Sequence, residues 1–237
     1  MTRGDGDPED APTHDGSNGP ADALTRDSSD EPVGDGAHDP ADRSTAGLED
    51  AVAAIERGAA VVYPTETVYG LGASATDADA VARVFEIKGR DHTKPISVGF
   101  PDLDTVAEFT RPTAAERAFM RRFLPGPVTV IVERGAALPD ELTDGRPRVG
   151  VRLPDHDLAR ELARRAGPIT ATSANESGSP SVRTPAALSP AVRRQVGAIL
   201  DDGEAPGTES TVVDVSSRTI HRRGALAETI EAWLADH

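Results

Sequence analysis

The sequence predicts an α/β domain in which helices cover a mixed sheet. Short apolar runs, typical of buried strands, alternate along residues 45–237 with longer stretches whose apolar residues recur every three or four positions, typical of helices. No internal repeat interrupts this alternation. A chain of 237 residues is long enough for one such domain and a further segment.

The further segment is residues 1–44, whose composition differs from that of the rest. It holds 12 Asp or Glu against three Arg, a net charge of −9, together with six glycines and five prolines. Such a segment buries too little apolar surface to offset the entropy lost on ordering. We therefore predict a disordered acidic tail at 1–44 followed by a folded domain at 45–237.

The first predicted helix carries Leu48, Val52 and Ile55 on one face. Gly58 follows, where a helix stop belongs. The next apolar run, Ala59–Tyr63, has the length and composition of a buried strand. A polar loop then leads to the second helix.

The second predicted helix contains Val81 and Val84 and continues to Lys88. Thr76 and Asp79 precede it at capping-box spacing. The same two periodicities predict the remaining elements. The strands are Ile96–Phe100, Val128–Val132, Val149–Leu153, Ile169–Thr172, Ala198–Leu200 and Thr211–Val215, and the helices are 113–123, 156–166, 185–196 and 226–235.

Composition excludes several classes of protein. The chain has no cysteine, which excludes a disulfide framework, a thiolate zinc site and a cysteine nucleophile. It has neither an apolar run of about 18 residues nor a signal-peptide pattern, so we expect a soluble cytoplasmic protein without a membrane partner. The P-loop, zincin and α/β-hydrolase motifs are absent. The six histidines are scattered, which gives little support for a metal site.

The formal charge of −15 opposes non-specific attraction to nucleic acid or to an anionic membrane. Together with few lysines and many alanines, this charge predicts a halophilic source, because salt at high concentration screens charge within a few ångström. Stability and activity that are highest in dilute buffer and lost in molar salt would contradict this hypothesis.

Lysine is confined to one short segment. Of the 25 basic residues 23 are arginine, and the two lysines, Lys88 and Lys94, lie six positions apart with Arg90 between them. Lysine is a compact point charge, whereas arginine is a wide planar fork. The segment is therefore a candidate site for a small, densely anionic group such as phosphate. A solvated loop without a binding role is the alternative.

Loops rich in hydroxyl groups and glycine follow the predicted strands. The first, Tyr63–Ala73, carries two threonines and two glycines, and glycine lets a backbone approach a ligand closely. Its Gly70 and Gly72 lie too far after the strand for a Rossmann dinucleotide site, so we reject that function. The alternative to a ligand-binding role is that the two glycines serve packing alone. The second loop, Thr170–Pro180, offers hydroxyl and amide groups that are also common turn formers.

A lone arginine, Arg152, lies on the predicted strand Val149–Leu153. A charged residue between buried ones needs an anionic partner, which is either a carboxylate of the protein or one of a ligand. A third polar loop, 208–211, precedes the strand Thr211–Val215, and the pair Arg222 and Arg223 follows it. Exposed arginine pairs are usually solvated surface.

Six motifs along the domain resemble a known family when they are taken together. They are Y-P-T-E-T-V-Y-G-L-G, K-G-R followed by K-P-I, L-P-G-P-V-T, V-G-V-R-L-P-D-H, T-S-A-N-E-S-G and E-S-T-V-V-D. In this order, over about residues 46–226, they resemble the YrdC/TsaC family of threonylcarbamoyl-AMP synthases. The chain looks like the short single-domain form. The resemblance implies a YrdC-like twisted mixed sheet flanked by helices, with a concave ligand cleft.

The resemblance also implies a reaction, in which L-threonine, bicarbonate and ATP give threonylcarbamoyl-AMP and pyrophosphate. ATP is then a substrate, and Mg²⁺ is implied only by the ATP. The product serves threonylcarbamoyladenosine formation at position 37 of tRNA, so that tRNA is an indirect partner through a downstream transferase complex. Such chemistry depends mainly on positioning and on neutralising phosphate charge.

Carried over by position, nine residues form the implied site. Two of them, Lys88 and Arg90, are the catalytic candidates. The threonine-binding residues are Thr67, Arg152, Ser173 and Ser210, and the ATP-binding residues are Arg90, Lys94, Asn175 and Arg222.

Two positions depart from the family pattern. Gly99 stands where the pattern has a histidine, and Arg148 stands where a small hydroxyl residue often contacts ATP. Neither is included in the predicted site. Two other functions stay open: a non-catalytic module of this fold that binds double-stranded RNA or tRNA, and a carbamoyl-transfer domain of the hydrogenase-maturation type. The charge and the few aromatic residues disfavour the first, and the lack of cysteine disfavours the second.

Overall fold

The computed structural model describes Met1 and residues 40–237. Nearly all of the predicted acidic tail, 1–44, lies outside the described residues and stays a prediction, while its last residues, from Pro40, begin the first helix. No helix within the described residues combines the length and the apolar character that a membrane span requires.

Within the described residues nine strands form one mixed sheet. They are β1 (Ala60–Tyr63), β2 (Gly70–Gly72), β3 (Ser97–Gly99), β4 (Val128–Glu133), β5 (Arg148–Arg152), β6 (Ile169–Ser173), β7 (Val196–Ile199), β8 (Thr211–Asp214) and β9 (Thr219–Arg222). Their order across the sheet is β7-β1-β2-β6-β3-β5-β4-β8-β9. The pairs β1–β7, β3–β5 and β4–β8 are parallel, and the other neighbours are antiparallel. The predicted α/β class with a mixed sheet is confirmed.

The helices lie between these strands in the chain. They are α1 (Pro40–Glu56), α2 (Ala78–Lys88), α3 (Leu103–Phe109), α4 (Ala114–Phe123), α5 (Asp157–Ala166), α6 (Pro190–Gln195) and α7 (Ala227–Asp236), with single 3-10 turns at Asp140–Leu142 and Pro185–Ala187. Helix α4 begins with a complete capping box, in which the Thr113 hydroxyl accepts from the Glu116 amide and the Glu116 carboxylate accepts from the Thr113 amide.

The two faces of the sheet are covered unequally. On one face Val98, Val130 and Val151 join a large apolar core with Phe85 of α2 and Phe119 of α4. On the other face α1 and α5 form a smaller core with alternate residues of β1 and β6, which are Val61, Tyr63 and Ile169. The residues of β3, β4, β5 and β8 on that second face are mostly small or polar, apart from Ile131 and Val212, and there the sheet carries a cavity instead of a core.

Strand β2 lies where the sequence predicts only a polar loop. Its glycines form the strand because the Tyr63 ring packs directly on them: a Cβ atom built on Gly70 would lie 2.6 Å from the ring Cζ, and one on Gly72 would lie 2.8 Å from Cε1. The Tyr63 hydroxyl donates to the Thr170 carbonyl oxygen at 3.3 Å. The two glycines therefore serve packing, in line with the rejection of a Rossmann site.

Other boundaries differ from the predicted ones for local reasons. The cap of α2 is Asp77, whose carboxylate accepts from the Asp79 and Ala80 amides, and not the predicted pair of Thr76 and Asp79. The predicted helix 185–196 is divided, because Ser189 caps a new start at α6 with Pro190 in the first turn. The short helix α3 and the edge strand β9 were not predicted.

Candidate active site

A cavity of about 570 Å³ opens on the second face of the sheet. Its floor is formed by side chains that alternate with core residues along β4 and β5, including Thr129, Gly150 and Arg152. Gly150 allows the close packing of this floor, because a Cβ atom there would lie 2.4 Å from Ser97 Oγ. Loops after β1 and β6, and the segment that follows α2, form the walls.

Six of the nine predicted site residues line this cavity. They come from six separate parts of the chain, and the fold brings them to one place. They are Thr67, Arg90, Arg152, Ser173, Ser210 and Arg222. The other three, Lys88, Lys94 and Asn175, do not line it.

Arg152 is buried at the end of β5, with an exposed fraction of 7%. Its Nη2 donates to Thr67 Oγ1 at 2.7 Å and to Glu66 Oε1 at 3.2 Å, and the Thr65 and Thr67 hydroxyl oxygens lie 2.9 Å apart. The second Glu66 oxygen is buried and has no hydrogen-bond partner among the described residues. A buried guanidinium beside hydroxyl groups is suited to a small carboxylate ligand.

Ser210 and Arg222 form the opposite wall. Arg222 donates to the Ser210 carbonyl oxygen at 3.0 Å and to Ser210 Oγ at 2.8 Å, and the Ser210 hydroxyl lies 3.3 Å from Thr129 Oγ1. Glu209 lies 3.6 Å from Arg222 Nη1. Burial lowers the pKa of Arg222, Glu209 opposes this effect, and Arg152 adds to it. Arg222 is a cation whose position is fixed by its two hydrogen bonds to Ser210.

Arg90 is fixed by backbone oxygens. Its Nε donates to the Lys94 carbonyl at 2.9 Å and its Nη2 to the Pro95 carbonyl at 3.0 Å. Burial lowers its pKa, and the nearby Arg222 lowers it further. Two arginines this close, neither of them neutralised by a buried carboxylate within the described part of the chain, form a cationic wall that favours an anion.

Lys88 is buried to an exposed fraction of 2% at the C-terminal end of α2. Its ammonium donates to the carbonyl oxygens of Ser173 and Asn175, the latter at 2.5 Å, while the Lys88 carbonyl accepts from the Ser177 amide at 2.8 Å. Burial, and secondly the charge of Arg90, lower the pKa of Lys88 to about 8. In this structure Lys88 holds the turn after β6 and does not face the cavity.

Lys94 and Asn175 are also directed elsewhere. Lys94 is exposed on the loop that follows α2. The Asn175 amide nitrogen donates to the carbonyl oxygens of Glu176 at 2.9 Å and Ser179 at 2.7 Å, which shapes the turn itself. The roles that the resemblance implies for these two residues in binding ATP stay predictions.

The cavity contains polar residues that the predicted site leaves out. Arg148, omitted because it departs from the family pattern, lines the cavity and donates from Nη2 to Glu116 Oε1 at 2.8 Å and to Asp214 Oδ1 at 3.2 Å. Because these two carboxylates neutralise it, Arg148 is a poor site for an additional anion. Gly99 does not line the cavity. The other missed residues of the floor and rim include Ser97, Thr129 and Arg146.

The site thus combines a hydroxyl-lined pocket around a buried arginine with a wall of less neutralised arginines. Among the described residues no group of three or more His, Asp or Glu side chains is placed to hold a metal ion. The fold and cavity define the class: an α/β ligand-binding protein built on a twisted mixed sheet, with a cleft for an anionic molecule.

The chain belongs to the Sua5/YciO/YrdC family. The sequence model of this family, which carries the description "Telomere recombination", matches residues 53–224. This match contains the whole cavity and confirms the resemblance that the six motifs indicate.

Named relatives agree with this assignment. The chain is 38% identical over 193 residues to a threonylcarbamoyl-AMP synthase of Bacillus subtilis, with 78% of this chain and 56% of that protein covered. It is 36% identical over 203 residues to a threonylcarbamoyl-AMP synthase of Bos taurus, with 81% and 73% covered. Against the Bacillus protein the chain thus spans little more than half of the relative's length.

A solved structure shares the fold. The crystal structure of Pyrococcus abyssi Sua5 complexed with L-threonine superposes with a TM-score of 0.72 at 35% identity, covering 78% of this chain and 56% of that chain. The predicted twisted mixed sheet flanked by helices is confirmed by this likeness.

Proposed function

We propose that this protein is an L-threonylcarbamoyladenylate synthase, which converts L-threonine, bicarbonate and ATP into threonylcarbamoyl-AMP and pyrophosphate. The observation that carries the proposal is the placement, in one cavity, of the Arg152–Thr67 pocket beside the Arg90–Arg222 wall. The first suits an amino-acid carboxylate and the second suits phosphate groups. The names of the relatives, and the threonine bound to the Pyrococcus protein, support the same assignment.

The chemistry requires two bond-forming steps. The threonine amine, once deprotonated, attacks the carbon of bicarbonate and forms a carbamate, with loss of water. A carbamate oxygen then attacks the α-phosphorus of ATP, and the bond from that phosphorus to the α,β-bridging oxygen breaks. The electron pair of the broken bond leaves with pyrophosphate. The enzyme is on this proposal a nucleotidyltransferase.

The cavity supports these steps by positioning the reactants and by compensating charge. Arg152 binds the threonine carboxylate, and the Thr67, Ser173 and Ser210 hydroxyl groups orient the amino acid beside it. Arg90 and Arg222 face the polyphosphate, whose negative charge moves onto the leaving pyrophosphate during the reaction. Prealigned reactants and fixed cations of this kind account for large rate enhancements without a covalent intermediate.

The three predicted residues outside the cavity have different places in this proposal. Lys88 acts through Ser173 and Asn175, because its ammonium holds their carbonyl oxygens, and it is therefore a positioning residue for the turn after β6. Asn175 shapes that turn through its amide. Lys94 is exposed on the loop that follows α2, outside the cavity lining, and the proposal assigns it no contact with the nucleotide.

Magnesium enters this proposal only with the nucleotide. The cavity has two lining carboxylates, Glu209 and Asp214, and Asp214 is already paired with Arg148. This donor set fits a hydrated Mg²⁺ that is held mainly by the phosphates of ATP rather than by a protein cage. The ion would neutralise phosphate charge, and the protein residues would bind and orient the groups around it.

The product would act outside this domain. Threonylcarbamoyl-AMP is a mixed anhydride and therefore an activated donor. The reaction that consumes it is transfer of the threonylcarbamoyl group to adenosine 37 of tRNA by a separate transferase. The tRNA is thus an indirect partner, and we place the reaction in the cytoplasm.

The test is threonine-dependent release of pyrophosphate by the full chain in the presence of bicarbonate, ATP and Mg²⁺. We expect release with L-threonine and none when threonine or bicarbonate is omitted. Arg152→Gln is the informative variant, because it removes the carboxylate-binding charge and leaves the arginine wall intact. Pyrophosphate release that proceeds equally without threonine would contradict the proposal.

A further inference from the structure

The rim of the cavity carries an arginine that the predicted site does not include. Arg146 lies in the turn before β5, lines the cavity and is exposed. Its Nη2 donates to the Thr93 carbonyl oxygen at 3.0 Å. This bond joins the turn before β5 to the loop that follows α2, on which Arg90 and Lys94 lie.

Three successive carbonyl oxygens of that loop hold two guanidinium groups. Thr93 accepts from Arg146, while Lys94 and Pro95 accept from Arg90. Carbonyl oxygens fix the direction of a guanidinium without cancelling its charge, whereas a carboxylate would cancel it. Within residues 40–237 neither Arg90 nor Arg146 is paired with a carboxylate.

The neighbouring Arg148, which lines the same cavity, differs from Arg90 and Arg146, because two carboxylates neutralise its charge. It lies two positions from Arg146 and donates to the carboxylates of Glu116 and Asp214. Arg152 has a single carboxylate partner among the described residues, Glu66 at 3.2 Å, and in the proposed function it binds the amino-acid carboxylate. The charge that remains for a multivalent anion is therefore concentrated at the rim, on Arg90 and Arg146, with Arg222 nearby.

The exposed Lys94 does not complete this arrangement. It shares the loop with Arg90, but its side chain does not line the cavity, while that of Arg146 does. A planar guanidinium also binds two phosphate oxygens at once, which an ammonium does not.

We propose that Arg146 and Arg90 form a two-arginine clamp that binds the pyrophosphate part of the nucleotide, with Arg146 in the role that the sequence assigns to Lys94. The inference deepens the proposed function and rests on it for the identity of the nucleotide. In the transfer step the bond between the α-phosphorus and the bridging oxygen breaks and its electron pair stays on that oxygen, so the clamp neutralises the negative charge that develops on the leaving pyrophosphate. Its hold on the β- and γ-phosphates makes pyrophosphate a ligand on its own.

The experiment is calorimetric titration of the full chain with magnesium pyrophosphate at constant ionic strength. Arg146→Gln is compared with Lys94→Gln, which removes one positive charge from the loop that Arg146 contacts, and with Arg146→Lys. We expect Arg146→Gln to weaken pyrophosphate binding by about tenfold, the size of one charge-assisted contact. We expect Lys94→Gln to change it by less than about twofold, and Arg146→Lys to recover part of the loss.

Steady-state kinetics give the second readout. Arg146→Gln raises KM for ATP and leaves KM for threonine as in the unchanged protein, since Arg152 is intact. Thermal unfolding of Arg146→Gln is expected at the temperature of the unchanged protein, because the exposed arginine makes one hydrogen bond to a carbonyl.

Three results would overturn the inference: an unchanged protein that binds no pyrophosphate, unchanged pyrophosphate binding in Arg146→Gln, or an equal loss in Lys94→Gln. The calorimetry needs no turnover. If the protein binds pyrophosphate through Arg146 but forms none from ATP in the presence of threonine, the proposed function is wrong and the clamp is still supported.

Discussion

Replacing Lys88 by methionine tests whether its ammonium is truly buried against backbone oxygens. Methionine keeps most of the side-chain length but has no charge and no titrating group. In the unchanged protein, burial lowers the pKa of Lys88 from its ordinary 10.5 to about 8. In the unfolded chain the ordinary value returns. The two states therefore bind different numbers of protons between these two pH values.

The sign of the effect follows from proton binding. Between pH 8 and 10.5 the unfolded state is still protonated at Lys88 while the folded state has lost its proton, so folded-state stability rises with pH through this window. The full difference is about 3 kcal/mol, because each tenfold change in proton affinity is worth about 1.36 kcal/mol. Between about pH 6 and about pH 9, the gain amounts to about 1 kcal/mol.

The assay is urea-induced unfolding of the unchanged protein and Lys88→Met at these two pH values. All other groups titrate alike in both proteins, so the difference between their free energies of unfolding isolates Lys88. As the pH rises, we expect the free energy of unfolding of the unchanged protein to increase by about 1 kcal/mol relative to that of the variant. Lys94→Met is the control, because it makes the same substitution at a lysine that is exposed instead of buried. A difference that stays constant with pH for Lys88→Met would refute the burial argument.

Three further substitutions test the cavity. Thr67→Val removes the hydroxyl that accepts from Arg152, and we expect KM for threonine to rise by about tenfold with KM for ATP unchanged; equal effects on both would contradict the separation of the two pockets. Arg222→Gln is expected to give the converse in the same kinetic assay, with KM for ATP raised by about tenfold. Gly150→Ala places a Cβ atom 2.4 Å from Ser97 Oγ, so we expect urea unfolding to show a loss of about 1 to 3 kcal/mol, and unchanged stability would mean that the floor is looser than described.

Much of the sheet could be predicted because its central strands carry their own apolar pattern. The runs around Val130, Val151 and Val213 are buried on one face and were found from the sequence. Strand β2 could not be found in this way, since its residues Gly70–Gly72 give little apolar periodicity and depend on the Tyr63 ring from another strand. The edge strand β9 is mostly exposed and has no apolar pattern to detect.

The helical pattern of the sequence already indicates that Lys88 points into the protein. The scarcity of lysine drew attention instead to a phosphate-binding role. It lies four residues after Val84 and seven after Val81, which are buried in α2, so the helical period places it on the same buried face. The scarcity of lysine indicated that the residue matters. It could not show that the ammonium would meet carbonyl oxygens of the turn after β6, which approaches α2 only in the folded chain.

The missed residues of the cavity also follow a pattern that needs the fold to interpret. In β5 the order Arg148-Val149-Gly150-Val151-Arg152 alternates between the core and the cavity. This alternation assigns both arginines to one face. Their carboxylate partners cannot be read from β5, because Glu116 and Asp214 beside Arg148, and Glu66 beside Arg152, come from segments distant in sequence.

The most direct test of the central claim is a crystal structure of the full chain with L-threonine and a non-hydrolysable ATP analogue bound together. The account predicts density for the threonine carboxylate at Arg152 and for the triphosphate along Arg90, Arg146 and Arg222, within one cavity. Density for either ligand away from that cavity would contradict it.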